Sequence, residues 1–376
     1  MTEEREYMSV TLAFAAGIAF AAAFRQLLPP HPSFFPTLML ACTAASACVL
    51  FEFRARGLRT VLPIALLSMF FCGIFSCLNS DIALWDGPAP HSKVYLRLRE
   101  SVLGINFRNP RNNALLLALT CGDRSLIDSN LRDAFRDSGA AHILALSGLH
   151  LGFICIFIEK LLAILGNSPA AVRNRSVAIV ALCGAYTWIT GASPSIVRAF
   201  LFILVREWCR VSGRKSSLMR TWSTALVIQL ALRPQSLFST GFQLSYLAMA
   251  GIALVSPLLE NLYPESERTA GSLVQKSLAG LDPVRKIWKM MSVSIACQCF
   301  TAPLAWIRFH SFPHYFLLTN LLAMPLASVV MFSGVPLTLL SMAGYQPELL
   351  LEICEGTMDG MVGILELIAG LQRDLT

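Results

Sequence analysis

Hydrophobic residues run in long blocks along this chain, separated by short polar loops. The blocks lie near 8–28, 34–53, 60–78, 140–165, 176–190, 194–211, 220–233, 241–259, 288–309, 315–341 and 348–370. An apolar helix of roughly 20 residues crosses a hydrocarbon core of ~30 Å. The pattern therefore predicts an all-α fold, a polytopic membrane helix bundle of about nine to eleven spans. The count is a range because 220–233 is short, and 315–341 is long and contains Pro325 and Pro336. Three regions follow: three plain transmembrane helices over 1–78, a short polar external segment over 79–139, and a polar-studded bundle over 140–376.

Composition agrees with the pattern. Only 14% of the 376 residues are charged and 55% are hydrophobic, with a mean hydropathy of +0.60; soluble domains carry about 25% charged residues. The first run is long enough to span and follows an acidic start, MTEEREYM, so no cleavable signal peptide is expected. Cys42, Cys48, Cys72, Cys77, Cys155, Cys183, Cys297 and Cys299 lie inside predicted spans, where Cys acts as a small apolar residue, and no CxxC spacing occurs. The net charge of +7 is concentrated in four loops: Arg54, Arg56 and Arg59; Arg173 and Arg175; Arg206, Arg210, Arg214, Lys215 and Arg220; and Arg268, Lys276, Arg285, Lys286 and Lys289. Basic loops stay on the cytoplasmic side. That places the N-terminus in the cytoplasm, 79–139 outside, and the C-terminus outside if 315–341 is one span.

Polar residues at membrane depth carry the candidate chemistry. The run SGAAHILALSGLHLGF (138–153) holds His142, Ser147, Gly148 and His150 among apolar neighbours. Gly148 can break a helix without steric cost, which splits 140–165 into two half-helices. The second then starts near Gly148, with Ser147 as a cap, His150 in its first turn, and free N–H groups attractive to an anion such as phosphate. The competing reading is helix packing through Gly148 and Gly152, with a single His bonded to a carbonyl.

Three other segments repeat the pattern. GASPSIVRAF (191–200) places Pro194 at a helix start, Ser193 as its cap and Arg198 one turn in, facing a cavity or snorkelling to the surface. STGFQLSYLA (239–248) puts Gln243, Ser245 and Tyr246 near the head of a span, where Gln bridges helices or lines a wet cavity. HYFLLTNLLAMPLAS (314–328) places Asn320 and Pro325 mid-span. Just upstream, DRSLIDSNLRDAFRDSG (123–139) reads as an amphipathic helix capped by Asp128 or Ser129 and stopped at Gly139. Leu131 and Phe135 form its apolar face, Arg132 and Arg136 its charged one; it suits the membrane surface, apolar side down. In the last run Glu352, Glu355, Asp359 and Glu366 form one acidic stripe, on the surface or facing water.

These motifs resemble the ComEC competence channel family. The run GDRSLIDSNLRDAFRDSGAAHILALSGLHLGF is similar to its signature at Gly122, Asp123, Arg124, Leu131, Arg132, Phe135, Gly139, His142, Ala145, Ser147, Gly148, Leu149, His150 and Gly152. GASPSIVRA, GFQLSYLA and NLLAMPL resemble further family motifs in the same order, so the likeness covers roughly residues 110–345. The resemblance implies a bacterial cytoplasmic (inner) membrane channel for single-stranded DNA in natural transformation. It implies no cofactor, metal or catalytic residue in this chain. Its path would use His142, Ser147, Gly148, His150, Arg198, Gln243, Ser245, Asn320 and Pro325, with Arg124, Arg132 and Arg136 guiding DNA outside.

The family's external OB-type domain and C-terminal metallo-β-lactamase-like domain find no counterpart: 79–109 is short for the first, and the six histidines form no HxHxDH cluster. The expectation is a channel-only member served by a separately encoded DNA receptor, a nuclease and a cytoplasmic DNA-translocating ATPase, or else a truncated remnant. No GxxxxGK[ST] motor motif occurs. The residues also leave open a transporter for a smaller anionic solute. An intramembrane hydrolase would need Ser147 and His150 within about 3 Å of each other; His142 and His150, ~12 Å apart along a continuous helix, do not share a metal without refolding.

Overall fold

The computed structural model describes residues 2–23, 58–78, 93–144, 148–166, 168–214, 217–263, 283–310 and 314–373. The predicted span at 34–53 and Ser147 lie outside them. Every regular element among the described residues is helical. In chain order these are α1 (Thr2–Ala23), α2 (Leu58–Leu78), α3 (Lys93–Leu103), α4 (Pro110–Cys121), α5 (Ser129–Asp137), α6 (Ala141–Leu144), α7 (Gly148–Leu161), α8 (Pro169–Ile189), α9 (Pro194–Val211), α10 (Leu218–Leu232), α11 (Thr240–Leu254), α12 (Ser256–Glu260), α13 (Pro283–Phe309), α14 (Phe316–Met342) and α15 (Glu348–Arg373). Among the described residues, four stretches are long and apolar enough to cross a membrane: Glu6–Ala23, Thr240–Glu260, Pro283–Phe309 and Phe316–Met342. The chain is an all-helical, polytopic membrane protein.

The residues form two compact units, 1–87 with 200–246, and 88–199 with 247–376; the boundary falls inside α9 and α11. In the first unit α1 packs on α2 and α10. Gly17 and Gly73 set the α1–α2 crossing. A Cβ on Gly17 would sit 1.9 Å from the Phe70 carbonyl oxygen, and one on Gly73 2.1 Å from that of Phe14. Only glycine permits so close a backbone approach, the small-residue packing expected where lipid supplies no hydrophobic drive. At one end of this unit the Arg220 guanidinium lies 5.3 Å from the Tyr7 ring centre, and the Ser217 hydroxyl donates to Glu4.

The second unit is built around α14, α15 and α4. Beyond its first turn helix α4 is apolar on all sides and its residues Ala114–Cys121 are buried, as expected of a helix surrounded by other helices. Asn109 caps its start, accepting from Arg111 N at 3.1 Å, Pro110 occupies the first helical position, and Gly122 closes it at φ 75°. Twelve residues are too few for a span, so the hydropathy pattern does not single out α4. Helix α14 runs unbroken through Pro325 and Pro336, so neither proline ends it.

Candidate functional site

Helix α6 ends at Leu144 and α7 begins at Gly148; the expected break at Ser147–Gly148 borders residues 145–147, which lie outside the described ones. His150 stands in the first turn of α7 and is fully buried. His142 is exposed, its Nδ1 3.1 Å from the Gly139 carbonyl oxygen. The two histidines have different surroundings, one in the core and one at the surface. Gly148 touches the start of α9: a Cβ there would lie 3.1 Å from Ala199 Cβ. Gly152 has open space where its Cβ would be, so helix packing does not explain that glycine.

Ala199 follows Arg198, which is only 4% exposed in the first turns of α9. The guanidinium therefore does not snorkel to an open surface. The turn before it is held at positive φ, Gly191 at 80° and Ala192 at 46°, and the Ala192 N–H bonds Thr187 O at 2.9 Å. Ser193 caps through its backbone: its carbonyl accepts from Val197 N at 3.0 Å, while its buried hydroxyl has no hydrogen-bond partner. The expected side-chain cap is not made.

Helix α14 joins the same neighbourhood. The Thr319 hydroxyl donates to Ser138 O at 2.7 Å, across 181 residues, which ties the head of α14 to the entry of the broken helix. Asn320 is half-buried and its Oδ1, shielded from solvent, has no hydrogen-bond partner. Farther along, Phe332 of α14 stacks on Phe153 of α7, ring centres 5.6 Å apart. Pro325 lies between these contacts. The second unit thus gathers three of the four predicted motifs: Gly148 and His150, Arg198, and Asn320 with Pro325.

Gln243 and Ser245 belong to the first unit. Gln243 Nε2 donates to Leu237 O at 2.8 Å and closes the local corner before α11; Ser245 is half-buried. The interhelical bridge expected of Gln243 is made instead by Gln229, whose Oε1 accepts from the Tyr246 hydroxyl at 2.9 Å. Trp222 Nε1 donates to Tyr246 O at 2.9 Å beside it. Gln229 sits mid-run in an apolar helix, a signal the sequence reading did not use.

Around α5 the charges are arranged differently from expectation. Asp128 caps the helix, accepting from Leu131 N at 2.6 Å. Leu131 and Phe135 are buried in the protein, because α5 packs on α15 and α6; its apolar side does not lie on lipid. Arg124, Arg132 and Arg136 are exposed. Arg136 pairs with Asp133 and Asp137 at 3.1 Å each, and Arg132 reaches Ile127 O at 3.4 Å. Beside Arg124, Asp123 clamps α3, pairing with Arg99 at 3.0 Å and accepting from Ser125 N at 2.9 Å. Burial raises the Asp123 carboxyl, but hydrogen bonds from Ser125 and Arg99 outweigh it and hold it below the usual Asp range. Burial, with Asp123 beside it, pushes Tyr95 up to about 12.

The acidic stripe has a structural partner. Glu355, 6% exposed, accepts from Arg108 N at 2.7 Å and Asn109 N at 3.2 Å. Its carboxylate thus sits at the start of α4, satisfying free donors and opposing the positive helix end. Asp359 accepts from Asn112 Nδ2 at 2.9 Å. With Glu352, these residues line a cleft of about 320 Å³. Glu366 is exposed.

A family model described as competence protein matches residues 119–375. The chain belongs to the competence protein family. The match opens in the last turn of α4 and takes in α5 to α15, so the competence-family region contains every predicted site residue. Three curated relatives are similar. Uncharacterized protein YcaI of Escherichia coli (strain K12) is 27% identical over 238 residues, 61% of this chain and 29% of the relative. ComE operon protein 3 of Bacillus subtilis (strain 168) is 26% identical over 247 residues, 64% and 28%. Competence protein ComA of Neisseria gonorrhoeae is 30% identical over 163 residues, 42% and 23%. The chain thus matches less than a third of the length of each of these relatives. No solved structure matches it.

Proposed function

We propose that this chain forms a path for single-stranded DNA across the bacterial cytoplasmic membrane during natural transformation. The competence family match and the likeness to ComE operon protein 3 and Competence protein ComA support the reading. The observation that carries it is the meeting of the α7 start with the second turn of α9. Gly148 of α7 contacts Ala199 of α9, beside buried Arg198, and buried His150 stands in the first turn of α7. Helix starts supply partial positive charge, and Arg supplies a full one. That suits a strand bearing one negative charge per phosphate. Of the predicted path, His142, Ser147, Gln243, Ser245, Asn320 and Pro325 are retained as proposed members.

Capture, strand degradation and driving force are assigned to a separately encoded DNA receptor, nuclease and cytoplasmic ATPase; no step of chemistry is assigned to this chain. The N-terminus is proposed to be cytoplasmic. Tyr7 and Glu4 meet Arg220 and Ser217, which puts the start of α1 at the end of the first unit that carries a basic loop. The test compares entry of labelled DNA into a nuclease-protected compartment in wild type, a deletion and His150→Ala at equal membrane abundance. Both mutants should lose protected DNA while surface binding persists. Normal uptake by the deletion overturns the DNA reading. Loss in the deletion alone removes His150 from the path.

A further inference from the structure

The chain from Ser101 to Ser138 runs the length of α14. At one end the Ser341 hydroxyl donates to Ser101 O at 3.2 Å. At the other the Thr319 hydroxyl donates to Ser138 O at 2.7 Å. The helix between Thr319 and Ser341 rises about 33 Å, the thickness of a hydrocarbon core. Between them, a Cβ on Gly334 would lie 2.5 Å from Leu116 Cδ1. Helix α15 gives a second ruler: Glu355 holds Arg108 and Asn109, Asp359 holds Asn112, and Arg373 meets Asp137 at 2.9 Å. Asp359 and Arg373 are separated by about 21 Å of helix, and α5 fills that interval.

Exposed ion pairs follow the same line. Arg108 and Glu352 are 3.9 Å apart, Arg111 and Asp128 3.2 Å, Arg136 and Asp133 3.1 Å. The Arg108 side chain is 84% exposed and that of Arg136 68%. If α14 crosses the bilayer, the Arg111–Asp128 pair lies between its ends and the other two pairs lie nearer them; at hydrocarbon depth an exposed charge facing lipid is costly and ionisable groups line water instead. We propose that the face of the second unit formed by α5, the start of α4 and the outer edge of α15 is a hydrated wall, recessed into the membrane, along which an extended polyanion passes.

The mixed charge suits transit. Arg108, Arg111 and Arg136 are each paired with a carboxylate when no strand is present. A phosphate competes for the same guanidinium and leaves it again when the carboxylate returns. Conduction needs binding that is favourable at entry and weak enough for release. The nature of the polyanion rests on the DNA reading above; hydration of the wall does not.

The test uses the full chain in membranes with Cys299, an exposed native cysteine, changed to Ser, and subtracts the labelling of that parent, which keeps ten native cysteines. Single cysteines replace Arg108, Arg132, Arg136 or Asn130; Asn130 is exposed and removes no ion pair. Lipid-face references replace Val329 and Leu339 of α14, 42% and 52% exposed. A charged, water-soluble thiosulfonate should modify the wall positions at least about tenfold faster than the references. Equal rates overturn the wall: slow everywhere means the face is covered, fast everywhere means α14 is not in lipid. An added single-stranded oligonucleotide should slow labelling at Arg132 and Arg136. A wall that labels fast but is indifferent to the oligonucleotide overturns the DNA reading and leaves hydration standing.

Discussion

At the residue scale, the contacts of Asp123 decide what one motif residue does. Asp123 holds Arg99 and Ser125 and lies beside Tyr95. Its depressed carboxyl contributes stability that is present above the ordinary Asp pKa of about 4 and lost as pH falls through the lower folded value. Tyr95, held up at about 12, works the other way: its contribution is intact below about 10, the ordinary Tyr value, and is lost as pH rises toward the folded one. Asp123→Asn should therefore flatten the acid limb of a stability–pH profile in detergent. It should also move the Tyr95 titration down, read by phenolate absorbance. An unchanged Tyr95 titration would show that Asp123 does not act on that ring. The arginine next to it, Arg124, is exposed and makes no ion pair with a described residue.

At the element scale, glycines separate tight crossings from open faces. Gly17→Ala and Gly73→Ala each drive a methyl into a carbonyl of the facing helix, which moves only if the helices part. Overpacking of this kind costs about 1–3 kcal/mol or more, so the α1–α2 pair should loosen and the folded fraction in detergent should fall. Gly152→Ala meets nothing and removes a glycine from a helix interior, so it should gain up to about 1 kcal/mol; a lowered melting temperature would count against the open space at that site. Sequence alone gave the α7 start, because Ser–Gly inside an apolar run weakens a helix locally. It gave the positions of α9, α13 and α14, whose apolar runs are long. It missed α4, because a short helix buried on all sides by its own protein shows neither a polar face nor a span's length. It put the apolar face of α5 on lipid, because an amphipathic pattern identifies a buried side without identifying what covers it; the covering helix, α15, lies more than two hundred residues later in the chain.

At the scale of the whole molecule, Glu355 tests whether the second unit is held together by the acidic stripe. No local signal links Glu355 to Arg108 and Asn109, which are 247 and 246 residues away, and so the stripe read equally well as a surface or a water-facing feature. The fold gives it a holding role: one carboxylate oxygen takes two backbone N–H groups at the start of the most buried helix in this unit. Glu355→Ala leaves those donors without their acceptor, and hydrogen bonds to a charged group are worth about 1.5–3 kcal/mol. Glu355→Gln keeps an acceptor of the same shape and loses the charge, so its cost should be smaller. Local opening appears as faster amide exchange, tenfold for every 1.4 kcal/mol or so. Exchange should thus rise at the start of α4 and in the adjoining part of α15, by about ten- to a hundredfold in the Ala variant and less in the Gln variant. Amides of α1, α2 and α10, packed in the other unit, should keep their protection. If protection falls equally in both units, the chain opens as one body and the stripe is not a local latch. If neither variant changes exchange at α4, the helix start is held by its Asn109 and Pro110 cap alone, and the acidic stripe is released for contact with whatever passes along the wall.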